Sequence, residues 1–499
     1  MSDKPAGNIE AAEAGPGNVS YFRHHAGLPE RLRPRLDRYV EEREGTRKQS
    51  VKELERRRLA GTVLDPRAGR RWALQRCAAK LMREVETRTR AGETYHTYRY
   101  RVTLCNAGVS DWRGSGDEPG GIRVYRSPDA LRAEFRGVMT CGSTWHCPCC
   151  SPKIAKRRVV EVNHALKLWQ QGFQGVTDQA AVSAAPGLSD NLILFATFTY
   201  QHSREHAGAG ELAAQLASFS GALSELKRDG PYRRIMAGVD FRGGIRGLEP
   251  TYGELNGWHV HAHEILFVRG DYMATLRALR RVRSVWARKL IALDMAGLGP
   301  MDAPFERRKK LRSLLTRCYV IQHGGFACDY LASFGKEPEG YRGRWGLGSE
   351  LARSHLKEGR PARNGVNAEG ALPARCKHAA PWELLNDALD GDERSAVLFR
   401  EYGEAFHGRR QLYWSKGLKD FFGVDEREDS AVAAQEDRRC TQFVGSITRD
   451  QWRAVLIADT RFTVLAIAAR DGREFLQEYL ERLERRYVSS AGPPLRAAV

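Results

Sequence analysis

The chain has 499 residues, 42% of them hydrophobic, with 80 Lys and Arg against 61 Asp and Glu and a formal net charge of +19. That length supports two or three domains with their own cores, and no apolar run reaches the roughly 18 residues of a membrane span. The polar start Met1–Ser20 lacks the order of a signal peptide, so a soluble cytoplasmic protein is expected, and the charge points to a polyanion, most often nucleic acid.

In chain order, residues 1–28 read as disordered, and 29–90 as helical with an apolar stripe at Leu32, Leu36, Tyr39 and Val40. Tyr98–Leu104 alternates like a strand ending at Cys105, and Asp111–Gly121 is a Gly- and Asp-rich loop. Ser151 and Pro152 suit a helix start, and Ile154, Val159, Val162, Leu166 and Trp169 continue at helical spacing. A loop over Gln171–Ser189 precedes a buried strand, Leu192–Tyr200, and a helix near 211–226. A hairpin spans about Gly244–Val268, and one long Arg-rich helix covers 272–292. Tyr319–Gln322 reads as a short strand and Phe326–Phe334 as a helix. The Gly- and Arg-rich stretch 337–378 reads as a mobile connection, Pro381–Phe422 as helical, 424–438 as an acidic linker and Gln451–Arg486 as helical. No internal repeat is visible.

Four of the ten cysteines fall between Cys141 and Cys150. In a cytosolic protein such crowding argues for metal rather than disulfides. Cys147 and Cys150 form a C-x-x-C pair able to grip one zinc from a tight turn, with Cys141 as a third ligand and Cys105 as the candidate fourth. Cys149 competes for a place in that set. A closed four-thiolate site would be structural, not catalytic. Lys153, Lys156, Arg157 and Arg158 follow directly and are candidate DNA-phosphate contacts; a solvated helix face is the plainer alternative.

The stretch Gly257–Val268 alternates throughout, which puts His259, His261 and His263 on one face of a strand. Three imidazoles so placed point to a metal site. If the hairpin turns about Leu255, Glu249 faces His261 within cross-strand reach, although Pro250 disturbs the ladder. His261, His263 and Glu249, with His259 as an additional candidate, would suit Mg²⁺ or Mn²⁺ gripping a phosphate oxygen. The strand Leu192–Tyr200 should lie beside this hairpin in an antiparallel sheet, where Thr197, Thr199 and His202 would line the site. Phosphodiester transfer also needs a nucleophile, and a tyrosine can store the bond as an ester. Chemistry alone does not choose among Tyr319, Tyr330 and Tyr341.

Several motifs together resemble the rolling-circle replication initiators of bacterial plasmids, members of the HUH endonucleases, over roughly residues 100–425. Thr197-Phe198-Thr199 with His202 resembles their first motif, and Trp258–His263 their metal motif, whose last two histidines bind the ion. Tyr330-Leu331 resembles the start of their tyrosine motif, Cys141–Cys150 their cysteine segment, and Arg409–Leu418 a downstream segment. The family usually has Lys three residues after the tyrosine; this chain has Ser333, with Lys336 a turn later as the candidate substitute for DNA binding. Some relatives carry Glu four residues before the tyrosine, where this chain has Phe326.

The resemblance implies an α+β fold: an antiparallel-sheet nuclease core with helices on one face, a preceding zinc knuckle, and helical N- and C-terminal regions. The expected division is a basic arm over 1–60, a helix with the cysteine module over 61–150, the nuclease domain over 151–345, an accessory basic and helical region over 346–425, and a helical region over 426–499. The implied activity is single-strand nicking by Tyr330, leaving a 5′-phosphotyrosine and a free 3′-OH primer, with Mg²⁺ or Mn²⁺ at the histidines and Zn²⁺ at the cysteines. Implied partners are unpaired or hairpin-extruded origin DNA and a host helicase and polymerase; self-association is left open. A transposase or mobilisation relaxase of the same superfamily is the near alternative. A non-enzymatic zinc DNA-binding regulator is the alternative of another class.

Overall fold

The computed structural model describes residues 66–90, 93–110, 112, 114–115, 118–173, 190–201, 211–253, 257–298, 303–323 and 378–487. The chain forms two compact units, each discontinuous in sequence: residues 1–73, 106–139 and 436–499 make the first, and 74–105 with 140–435 the second. The architecture is α+β, with antiparallel sheets and many helices.

In the first unit, the strand Gln442–Ile447 pairs with Ile122–Arg126, which pairs with Ala133–Arg136. Three helices follow at Arg449–Ala458, Arg461–Arg470 and Gly472–Tyr487. Thr448 starts the first of them with a capping box: its hydroxyl accepts from Gln451 N at 3.2 Å, and its own N–H donates to Gln451 Oε1 at 3.1 Å. Ile122, Val124, Val444, Trp452, Val455 and Leu480 close a core of their own.

The second unit is built on a sheet whose strands are named here β1 (Asn191–Phe198), β2 (Gly243–Gly253), β3 (Gly257–Arg269), β4 (Tyr319–His323), β5 (His378–Ala379) and β6 (Leu412–Trp414). The order is β4-β1-β3-β2-β5, with β6 also on β2, and every pair is antiparallel. Gly253 pairs with Gly257 to close the β2–β3 hairpin, and Gly257 takes a φ of 73°, open to a residue without Cβ. The register runs unbroken past Pro250, which sits opposite Val260. β5 and β6 pair with β2 at 252–253 and 245–247, so Pro250 lies where β2 has no outer partner among the described residues, as suits a strand proline.

Alternation sorts the sheet into two faces. Trp258, Val260 and Ala262 of β3 join a core with Phe219 and Leu223 of the helix Leu212–Arg228 and Trp286 of the helix Val282–Ala292. Ile265 and Phe267 face the other way and pack with Ile193, Phe195 and Trp169. Trp169 belongs to the long helix Cys150–Gln170. Most helices of this unit thus lie on one face, as expected, and one long helix also covers part of the other. Glu401 ties the first layer together from inside, accepting from Trp258 Nε1 and Leu212 N, both at 2.9 Å.

Several local expectations change. The helix expected up to residue 90 ends at Leu81: Val85–Arg90 is a strand paired with Glu93–Tyr98, in a Thr- and Tyr-rich ribbon that suits strands. The expected strand into Cys105 is a 3₁₀ turn, Arg101–Leu104. The helix at 150 is capped at Cys149, with Ser151 buried inside it. The 272–292 helix is two, Tyr272–Arg280 and Val282–Ala292, separated by Arg281. The 381–422 region holds helices Pro381–Leu389 and Glu393–Phe406, then β6, then a short turn of helix at Leu418–Phe421. The acidic linker contains the helix Asp429–Ala434. Residues 1–65 and most of 337–378, the expected loop and the Phe326–Phe334 helix lie outside the described residues in whole or large part.

Candidate metal centre

The open end of the histidine face holds the first cluster. The hairpin register puts Glu249 opposite His261, Gly247 opposite His263 and Thr251 opposite His259. Gly247 has no side chain, which leaves the Glu249 carboxylate room to reach His263 diagonally. Glu249 Oε2 lies 3.3 Å from His261 Nε2 and 3.0 Å from His263 Nε2. These three donors converge among buried or nearly buried side chains, which are 7, 16 and 10% exposed respectively.

Two observations bear on whether the group fits a cation. For ligands at ~2.1 Å, neighbouring donors in octahedral coordination stand about 3.0 Å apart, and the donors here already have nearly that spacing. His261 Nδ1 is buried with no hydrogen-bond partner among the described residues, so this ring is held through its other nitrogen alone. The donor set of two imidazoles and a carboxylate fits a divalent ion.

β1 supplies the support. Thr197 pairs with His263 across the sheet, and its Oγ1 lies 3.0 Å from His263 Nδ1. When Thr197 accepts from Nδ1–H, the Nε2 lone pair is the one that faces Glu249, which fixes the useful tautomer. Phe195 stacks on the same ring at 5.1 Å. His259 stands apart from the three donors: its Nε2 meets Thr199 Oγ1 at 2.6 Å, and its ring centroid is 5.2 Å from that of His261. Thr199 and His259 therefore form a second hydrogen-bonded pair beside the cluster. His202 lies outside the described residues.

The second cluster gathers Cys105, Cys141, Cys147 and Cys150, all buried. Cys105 Sγ is 3.5 Å from Cys147 Sγ and 3.6 Å from Cys150 Sγ, and Cys141 Sγ is 3.6 Å from Cys150 Sγ. A tetrahedral site with Zn–S near 2.3 Å sets its sulfurs about 3.8 Å apart, so the spacing suits one such ion. Backbone N–H groups of Ser143 and Cys150 point at Cys141 Sγ and Cys147 Sγ, each at 3.4 Å, and these bonds stabilise thiolates. Burial pushes the Cys147 thiol well up, while hydrogen bonds from Cys105, Cys141 and Cys147 hold Cys150 down. Bound as thiolates, four sulfurs this close and this buried would need a cation to offset their repulsion. Cys149 is half-buried and is not among the four sulfurs that lie within 4.8 Å of one another.

The helix Asp429–Ala434 comes close to this knuckle: a Cβ on Gly142, whose φ is 63°, would meet Ser430 Cα at 2.6 Å. The same region engages the basic residues after Cys150. Lys153 Nζ donates to Ala433 O and Gln435 O, each at 3.3 Å. Arg157 pairs with Glu161 at 3.1 Å, and Arg158 pairs with Glu161 and Asp429 at 2.9 and 2.5 Å. Lys156 is exposed. Three of the four candidate phosphate contacts are thus occupied within the fold.

Tyr330, Ser333, Lys336 and Tyr341 lie outside the described residues, a few positions beyond the end of β4. Tyr319, the third candidate nucleophile, is fully buried on the face opposite the histidines, among Phe198 and Leu314, and burial raises its phenol. It cannot reach a phosphate at the cluster without unfolding its surroundings.

No family model matches the chain, and no solved structure matches it. Among curated proteins, it is 33% identical over 155 residues to a protein of Streptomyces cyanogenus named Neomycin resistance protein, spanning 30% of this chain and 34% of that one. Over 345 residues, 64% of its length, the chain is similar at 25% identity to Protein rep of Streptomyces lividans, of which the match covers 73%.

Proposed function

We propose that this chain is a plasmid rolling-circle replication initiator of the HUH type that cuts one DNA strand with Tyr330 at a metal centre held by Glu249, His261 and His263. The observation that carries the reading is the convergence of one carboxylate oxygen and two imidazole nitrogens on one sheet face. The likeness to Protein rep points the same way.

In this reading, Glu249, His261 and His263 would hold Mg²⁺ or Mn²⁺, which would supply charge stabilisation at the scissile phosphate. Tyr330 Oη attacks phosphorus in line, the P–O3′ bond breaks, the phenolic proton leaves to solvent, and the departing 3′ oxygen takes up a proton from solvent. The products are a 5′-phosphotyrosine ester and a 3′-OH that a polymerase can extend behind a helicase. Unpaired origin DNA is the substrate, because the strand has to bend to bring its phosphate to these residues. Thr197 orients His263 throughout. The four cysteines would hold a structural Zn²⁺ at the start of the helix Cys150–Gln170, whose far end, at Trp169, packs under the sheet.

The test is cleavage of single-stranded origin oligonucleotides with Mg²⁺ or Mn²⁺. Wild type should leave a covalent adduct on the 5′ product, and Tyr330→Phe should leave none. An adduct with Tyr330→Phe would move the nucleophile to Tyr341. Binding without cleavage by both proteins would favour a zinc-dependent DNA-binding regulator.

Thr197→Val keeps the shape of the side chain and removes the bond to His263. It should weaken Mn²⁺ binding about ten- to a hundredfold, measured by calorimetry, with little change in melting temperature. Unchanged affinity would show that the Thr197 hydroxyl does not orient the ligand.

A further inference from the structure

The helix Pro304–Arg317, sequence PFERRKKLRSLLTR, carries six basic residues and one acid and runs directly into β4, the strand next to β1. Its apolar side is accounted for: Leu311, Leu314 and Leu315 pack into the core with Tyr319. Its outer side is not. Phe305, Arg308, Lys309 and Arg312 recur at i, i+3, i+4 and i+7, one helix face. All four are exposed, and Phe305 is 70% exposed, the highest value among the exposed large hydrophobic residues described. Leaving a phenyl ring in water forgoes the stabilisation of burying it. Among the described residues the one ion pair on this face is Lys309 with Glu306 at 3.9 Å, both well exposed, which contributes little. Arg312 has no carboxylate partner among the described residues.

A row of cations beside one bare aromatic ring is the combination that binds unpaired nucleic acid: phosphates follow the charges and a base stacks on the ring. Duplex DNA has no free base face to offer Phe305. We infer that the face Phe305–Arg308–Lys309–Arg312 is a binding site for single-stranded DNA, with Arg308, Lys309 and Arg312 on phosphates and Phe305 under a base. The inference rests on the proposal that the chain acts on unpaired DNA, and assigns the surface that holds it. The four residues touch neither metal cluster, so binding here is separable from cutting.

The test is fluorescence anisotropy of the full chain with a labelled dT oligonucleotide in Mg²⁺-free buffer plus Ca²⁺, where binding is read without cleavage. Phe305→Ala should weaken binding about tenfold or more. Arg308→Glu with Arg312→Glu should weaken it further and lower the log–log salt slope by about 0.7 for each phosphate no longer neutralised. Arg473→Glu, an exposed arginine of the other unit, is the matched charge control and should change little. Melting temperatures check that each variant folds; a variant that does not is replaced by Phe305→Ser or Arg308→Gln, which carry the same expectation in smaller degree. The inference is overturned if folded variants bind like wild type, if Arg473→Glu weakens binding as much, or if wild type does not bind the oligonucleotide. It is also overturned if the charge reversals weaken duplex and single strand alike while Phe305→Ala changes neither. Since nicking is not read, loss of this surface leaves the Tyr330 reading standing on its own assay.

Discussion

Replacing Glu249 by Ala should lower metal-dependent strand cleavage about a thousandfold or more, a larger fall than either Glu249→Gln or Thr197→Val produces. Among the described residues Glu249 is the one anionic donor in the cluster, and its Oε2 is the atom that both Nε2 groups approach. Without it, two neutral imidazoles remain, a pair that favours softer ions over Mg²⁺. Loss of the ion removes several kcal/mol of charge stabilisation from the transition state, which is the origin of the expected factor. Glu249→Gln keeps a neutral oxygen donor in place and should retain part of the affinity. The order wild type, Gln, Ala is read from cleavage rates across a Mn²⁺ titration. If Glu249→Ala cuts at the wild-type rate at limiting Mn²⁺, the carboxylate is not a ligand.

Cys147→Ser should release the ion from the cysteine cluster and unfold its surroundings, whereas Cys149→Ser should do neither. Cys147 lies within 3.5 Å of Cys105 Sγ and is buried, while Cys149 is outside the cluster. Structural zinc contributes roughly 10 kcal/mol or more of apparent folding free energy in small modules. Losing one of four thiolates should cost several kcal/mol of that and leave three buried thiols facing one another. The cluster draws on a 3₁₀ turn, a loop and the first turn of a long helix, so one ion there would tie together three segments distant in sequence. Metal content by mass spectrometry and the melting transition of the two serine variants check the contrast. Equal zinc content in both would remove Cys147 from the ligand set.

What is legible in the sequence is what short-range alternation encodes. The parity of His259, His261 and His263, the turn near Leu255 and the pairing of Glu249 with His261 all follow from a period of two and one tight turn. The neighbouring strand is legible for the same reason, and it delivers Thr197 to His263. What is not legible depends on partners distant in sequence. The strand Gln442–Ile447 pairs with Ile122–Arg126 across more than 300 residues, so the first unit is assembled from pieces no local pattern connects. The strand Val85–Arg90 reads as the end of a helical region because charges fill the residues around it, yet its Val and Thr residues prefer the pleated backbone. Lys153, Arg157 and Arg158 read as free for phosphate, and only the fold shows Glu161, Asp429 and the carbonyls of Ala433 and Gln435 beside them. The helix Pro304–Arg317 is absent from the elements expected above, although its run of Arg307 to Lys310 after an isolated phenylalanine is the available signal.

The measurement that tests the metal centre most directly is pulsed electron paramagnetic resonance of Mn²⁺ added to zinc-loaded protein. The account predicts one Mn²⁺ per chain with directly ligated imidazole nitrogen, lost when His261 and His263 are both replaced by Ala. A bound Mn²⁺ without nitrogen couplings, or couplings that persist in the double variant, would contradict it.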